Sequence, residues 1–134
     1  MTDKQLTHEI IGAAIAVHRE LGPGLLEAVY EECLCHELSL RGLAFDRQKP
    51  IPVVYRGTKL DCGYRADIVV SGSVIVEIKA IANVAPIHEA VMLTYLRVSG
   101  CKIGLLINFH STVLKDGVRR FVWNYDQAPV KEES

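Results

Sequence analysis

The sequence predicts an α/β sandwich with a mixed sheet, and three features of its patterning carry that expectation. Apolar residues recur at helical spacing up to residue 40 and again over 87–98. They alternate with a period of two between 45 and 79, and a short, strongly apolar run fills 102–109. The implied order is α-α-β-β-β-β-α-β-β.

The first helix is expected over 6–21, from Leu6, Ile10, Ile11, Ala14, Val17 and Leu21, with Thr7 as its N-cap. Gly22-Pro23-Gly24 breaks it, because proline lacks a donor and glycine permits positive φ. A second helix over 26–40 carries the stripe Leu26, Val29, Tyr30, Cys33, Leu34 and Leu38, and Gly42 stops it. Strand-like runs follow at 51–55, 60–64, 66–70 and 74–79, with Arg56-Gly57 and Ser71-Gly72-Ser73 as hairpin turns. Pro50 and Pro52 assign the first of these runs to a sheet edge. A third helix spans 87–98 and ends at Gly100; strands at 102–109 and 118–123 complete the order. The chain reads as one domain over 1–134, with its core at about 7–124, a tail from 125 and fraying expected from Lys131 to Ser134.

Composition narrows the function classes. The chain has 134 residues, 49% hydrophobic and 23% charged, which excludes a disordered tail protein. The apolar run at 10–17 is far short of the ~20 residues that span a bilayer, so no membrane partner is expected. Asp3, Glu9 and His18-Arg19-Glu20 do not fit a secretion signal. Cys33, Cys35, Cys62 and Cys101 form no CxxC pair, and reduced thiols in a cytoplasmic protein are the expectation. A net charge of −1 excludes a global positive field, so contact with a polyanion must come from a local patch. Arg41, Arg47, Lys49, Arg56, Lys59 and Arg65 outnumber Asp46 and Asp61 in their stretch, and Lys115, Arg119 and Arg120 form a second basic cluster. Against these, Glu27, Glu31, Glu32 and Glu37 have no Lys or Arg companion within 26–40. A chain this small has little surface for gripping a duplex, which leaves room for a homo-oligomer or a larger protein partner.

The chemistry-bearing stretch runs from Arg65 to Lys79. Ala66, Ile68, Val70, Val74, Val76 and Ile78 are apolar and even-numbered; Asp67, Glu77 and Lys79 are odd-numbered. For both strands to agree on a core face, the loop must hold three residues centred on Gly72, which sets Asp67 opposite Glu77. A two-residue Gly72-Ser73 turn would send the carboxylates to opposite faces. Paired carboxylates repel, and the remedies are a proton, a neighbouring Lys79 or Arg65, or a divalent cation. Mg²⁺ accepts one or two carboxylates with waters retained, and Lys79 on the same face is in position to place or help deprotonate an attacking water. The alternative is a surface hairpin with an ordinary Glu/Lys/Arg cluster, and spacing alone leaves both readings open.

Asp67 followed by Glu77-Ile78-Lys79 resembles the D…(D/E)xK signature of the PD-(D/E)xK nuclease superfamily. Gly24-Leu25-Leu26-Glu27-Ala28-Val29-Tyr30 is similar to the GxxExxY motif of a bacterial family within it, and the likeness runs from about Ile10 to Trp123. The resemblance implies a restriction-endonuclease-like αβββαβ core, here with an extra N-terminal helix. It also implies a Mg²⁺-dependent phosphodiesterase, with Mn²⁺ as a substitute, acting on DNA or RNA. Carried over, Asp67 and Glu77 resemble the metal pair, with the Ile78 carbonyl as a further ligand; Lys79 resembles the catalytic lysine, and Glu27 the acid contributed by the first core helix. Tyr95 matches the tyrosine of a Gln-x-x-x-Tyr pattern in related nucleases, but Val91 stands at the glutamine position. Tyr95, His88 and Arg65 are candidate substrate contacts; His110, where the family tends to have glycine, is assigned no role. Val91 favours an alternative in which the fold is kept as a non-catalytic module that binds nucleic acid or a partner protein.

Overall fold

Helix α1, Asp3–Leu21, begins one turn before the expected start, in a computed structural model that describes residues 1–125 and 128–131, with side chains through 123. Thr2, not Thr7, caps it: the Gln5 N–H donates to Thr2 Oγ1 (3.1 Å) and the Thr2 N–H to Gln5 Oε1 (2.8 Å). This is a reciprocal capping box, whose Thr-x-x-Gln signal outranks a lone threonine. Thr7 is buried inside the helix and donates its hydroxyl to the Asp3 carbonyl at 2.7 Å, as a mid-helix threonine does. Helix α2, Glu27–Leu40, follows the Gly22–Gly24 break and is followed by Gly42 at φ +73°. Its buried stripe is Tyr30, Leu34, Cys35 and Leu38, whereas Leu26 (75% exposed) and Val29 lie outside it.

The strands are β1 (Phe45–Pro50), β2 (Val53–Tyr55), β3 (Thr58–Leu60), β4 (Arg65–Val70), β5 (Val74–Lys79), β6 (Ile103–Asn108), β7 (Val118–Tyr125) and β8 (Ala128–Lys131). Helix α3, Pro86–Ser99, connects β5 to β6 and ends at a left-handed Gly100, as expected. Six strands form one sheet in the order β1-β4-β5-β6-β7-β8, parallel only between β5 and β6, so the sheet is mixed. The restriction-endonuclease-like arrangement is the observed one, with α1 as the added N-terminal helix. Strand β8 lies within the stretch read as tail, and residues 132–134 fall outside the described residues.

Two differences concern the first strands. β1 occupies 45–50, ahead of the run expected at 51–55; its sequence Phe-Asp-Arg-Gln-Lys-Pro has almost no apolar signal because it is an exposed edge strand. The later runs shrink to β2 and β3, a separate hairpin closed by Arg56 (φ +49°) and Gly57 (φ +80°). Two left-handed residues in a two-residue loop match the twist of a hairpin.

The sheet is covered on both sides. Ile68, Val70, Val76, Ile78, Leu105 and Ile107 join the cluster under α1 and α2; Val69, Ile75, Leu106 and Phe121 join Met92, Tyr95 and Leu96 of α3. Tyr30 anchors the first cluster, stacked on Phe109 with ring centroids 4.5 Å apart. Its buried hydroxyl donates to the Gly22 carbonyl (2.6 Å) and accepts from the Leu25 N–H (3.1 Å), which fastens the α1–α2 turn. No helix among the described residues is long and apolar enough to cross a membrane. Tyr30→Phe keeps the stack but strands both partners, and a loss of about 1–3 kcal/mol in urea unfolding is expected; an unchanged midpoint would show that the turn does not depend on this hydroxyl.

Candidate functional site

The β4–β5 ladder pairs Val70 with Val74, Val69 with Ile75 and Ile68 with Val76, which is the register of a three-residue loop. Ser71 (φ +53°) and Gly72 (φ +65°) turn the chain, and the Ser73 N–H donates to the Val70 carbonyl at 3.0 Å. One step beyond Ile68, side chains take over from the ladder. The Asp67 N–H donates to Glu77 Oε2 at 2.8 Å, and the Ile78 N–H donates to Asp67 Oδ2 at 2.8 Å. Each carboxylate thus satisfies a backbone donor on the opposite strand, and the two acids converge.

Convergence in a covered sheet has an electrostatic cost. Glu77 is only 7% exposed, and burial first, then the Asp67 charge, pushes its pKa up to about 8. Burial also raises Asp67, with Glu31 adding to the effect and the Ile78 N–H opposing it. Lys79 is half-buried at the end of β5, and its charge lowers both carboxyls. The backbone around Lys79 is pinned. The Phe109 N–H donates to its carbonyl at 2.8 Å, and the Asn108 side chain holds both the N–H (3.1 Å) and carbonyl (2.9 Å) of Ile81.

Helix α2 supplies two further acids. Glu27 Oε2 accepts the Ala80 N–H at 3.1 Å, directly after Lys79. Glu31, one turn later and 8% exposed, accepts Arg47 Nε at 2.6 Å and the Gln48 carboxamide at 3.0 and 3.1 Å. Gln48 Nε2 also lies 3.4 Å from Asp67 Oδ1. Gln48 and Asn108 were not singled out from sequence, and Glu31 was named only for its lack of a basic companion. Glu31 had a signal, since residues four apart on a helix share a face with Glu27; Gln48 and Asn108 had none.

The other expected residues divide. Tyr95 is buried against Tyr64 (ring centroids 5.7 Å), and its pKa is pushed up to about 12 by burial, then by the Glu77 and Asp67 charges, so its hydroxyl belongs to the same neighbourhood. Arg65 turns away to Asp61 (3.2 Å) and the Tyr64 carbonyl (2.9 Å). His88 Nδ1 accepts the Ala85 N–H at 2.9 Å at the start of α3, a capping role. Val91 packs against the apolar α3 cluster, and His110 is exposed. The basic stretch is largely spoken for: Arg41 pairs with Glu9 and Glu37, Arg47 with Glu31 and Glu32, Lys49 with Asp46, and Arg119 with Glu89. Of the acids of α2, Glu27, Glu31 and Glu32 find partners across the fold, and Glu37 pairs with Arg41 at the end of its own helix.

Among the described residues no three His, Cys, Asp or Glu side chains are arranged to hold a metal ion. Asp67 and Glu77 are nevertheless a pair of hard oxygen donors in mutual repulsion, and such a pair fits a divalent ion that keeps waters for its remaining positions. Burial holds the Cys35 thiol up at about 11, which leaves it protonated and excludes it as a nucleophile near neutral pH.

No curated protein and no solved structure matches the chain. A family match does exist, and nucleases of that family generally use divalent metal ions on nucleic acid. It extends over residues 4–121, nearly the whole length, and by it the chain belongs to the PD-(D/E)XK nuclease superfamily.

Proposed function

We propose that the chain is a Mg²⁺-dependent nuclease of the GxxExxY group that hydrolyses phosphodiester bonds in DNA or RNA. The observation that carries this reading is the convergence of Asp67 and Glu77 where the β4–β5 ladder ends, with the Lys79 charge acting on both. Asp67, Glu77 and the Ile78 carbonyl would hold the ion, with Mn²⁺ as a substitute. Such an ion polarises a phosphoryl oxygen and acidifies bound water. Lys79 orients the attacking water and offsets the negative charge that builds at the phosphate. Glu27 fixes the turn after Lys79 by accepting the Ala80 N–H, and Tyr30 holds the helix start from which Glu27 projects. Tyr95 offers its hydroxyl beside the pair as a substrate contact.

A second reading has one specific observation behind it. Val91 faces the apolar cluster and presents no polar atom to a substrate, which favours a module that binds nucleic acid without cleaving it. That module would show saturable, salt-sensitive binding and no turnover, even with Mn²⁺.

Incubation of single- and double-stranded DNA and RNA with Mg²⁺ or Mn²⁺ separates the two. Cleavage is expected with wild type, and Asp67→Ala and Lys79→Ala should each reduce it about 10²-fold or more with unchanged circular dichroism. Activity that persists in both variants would remove the proposed centre.

The charge of the pair also sets a pH dependence for the metal-free chain. Glu77 is raised from 4.5 to about 8, so the folded state holds a proton that the unfolded state has released across that window. Its contribution to stability is complete below pH 4.5 and lost as pH rises through about 8. The thermal midpoint measured in a chelator should therefore fall from pH 5 to pH 8.5. Glu77→Gln should flatten that fall; an equal slope in both proteins would assign the titration elsewhere.

A further inference from the structure

Gln48 has a backbone conformation that its strand does not explain. It lies inside β1 at φ +53°, whereas the other two non-glycine residues with positive φ among the described residues, Arg56 and Ser71, sit in hairpin turns. The β1–β4 pairing runs Phe45↔Val70, Asp46↔Val69, Arg47↔Ile68, skips Gln48 and the Asp67 opposite it, and resumes in the same register at Lys49↔Ala66. A side chain other than glycine pays a steric penalty in this region, and such positions persist where the surroundings over-determine them. Here the surroundings are two acids. The carboxamide Nε2 carries two N–H donors and lies 3.0 and 3.1 Å from the Glu31 oxygens and 3.4 Å from Asp67 Oδ1. Glu31 is held in turn by Arg47 Nε at 2.6 Å.

We infer that Gln48 is a positioning residue for the cation-binding carboxylate Asp67, an inference that rests on the metal-dependent reading above. The Ile78 N–H fixes Asp67 Oδ2, and the Gln48 carboxamide steers Oδ1 from the other side. The donor matters because it is neutral. An arginine or lysine there would neutralise Asp67 and compete with a cation, whereas a carboxamide orients the oxygen and leaves its charge in place. Glu31 and Arg47 act behind it: Arg47 balances Glu31, and Glu31 anchors the carboxamide. The register on either side sets Gln48 opposite Asp67, so its side chain starts from the strand position nearest that carboxylate.

The competing explanation is a local kink that blunts the exposed edge of the sheet without shifting its register, with the carboxamide contacts incidental. Two substitutions in the full chain divide these. Gln48→Gly accepts the left-handed backbone freely and removes the carboxamide; Gln48→Met keeps the length and the strain and replaces the carboxamide with a thioether that donates nothing. Mn²⁺ titration by calorimetry at pH 7.5 and metal-free thermal unfolding are the readouts. Both variants should bind Mn²⁺ about 10-fold more weakly than wild type, with the Gln48→Gly midpoint no lower than wild type. Binding within twofold of wild type in either variant overturns the inference, as does a lowered midpoint in Gln48→Gly, which would make the side chain part of the strand's own stability. Wild type that takes up no Mn²⁺ overturns the metal reading itself, and this inference with it.

Discussion

Two like charges forced together at the point where neighbouring strands part are the constraint on which the rest of the molecule turns. Water would separate Asp67 and Glu77; the covered sheet holds them in place. Each carboxylate occupies a backbone N–H that the β4–β5 ladder has given up, and that exchange fixes the direction of both side chains. The remaining repulsion appears as carboxyls that hold their protons too tightly, Glu77 most of all. Burial and repulsion act in the same direction, and the two backbone donors and Lys79 offset only part of them.

Elements far apart in the chain converge on this point because each closes a specific backbone gap beside it. Glu27 from α2 caps the Ala80 N–H, and Asn108 from β6 binds Ile81 on both sides, so the backbone leaving β5 is held from two directions. The Phe109 N–H to the Lys79 carbonyl ties the same segment to the ring on which Tyr30 stacks. The start of α2 and the end of β5 therefore form one unit. The Gly22–Gly24 turn is joined to that unit through the Tyr30 hydroxyl.

Much of this was legible in the sequence where periodicity and parity speak. Alternation over Ile68–Val70 and Val74–Ile78 forces a three-residue loop, and the observed register is that loop. Ala66, expected beside Ile68, lies in the α3 cluster instead, because the alternation breaks at Asp67. Helix α3 and its glycine stop were equally readable, because a stripe ending at Gly100 has one ordinary structural meaning. The edge strand β1 was hidden since it has no buried face to write a pattern, and α1 began early because a capping box two residues from the chain start outweighs an internal threonine. Glu31, Gln48 and Asn108 escaped for a different reason. The partners that fix them at the site lie 16 to 27 residues away in the chain, and a polar side chain carries no periodic trace of a distant partner. Val91 was visible as a departure from the related nucleases, yet its contact with the α3 cluster could only come from packing. The carboxamide near the acids comes instead from β1.

Charge balance is the last step. Arg41, Arg47, Lys49, Arg65 and Arg119 are each engaged with an acid, so they lend little free positive potential to the surface around the pair. Close to it stand Asp67, Glu27 and Glu31, joined by Glu77 once it loses its proton, against Lys79 and the already committed Arg47. A polyanion approaching this centre meets net negative charge, and at ordinary ionic strength that repulsion is felt within about 8–10 Å. Under the proposed reading, a divalent cation at the pair offsets that negative charge at the position where a phosphate must sit. Cation and nucleic acid should then bind with positive coupling, each raising the affinity of the other by the same factor.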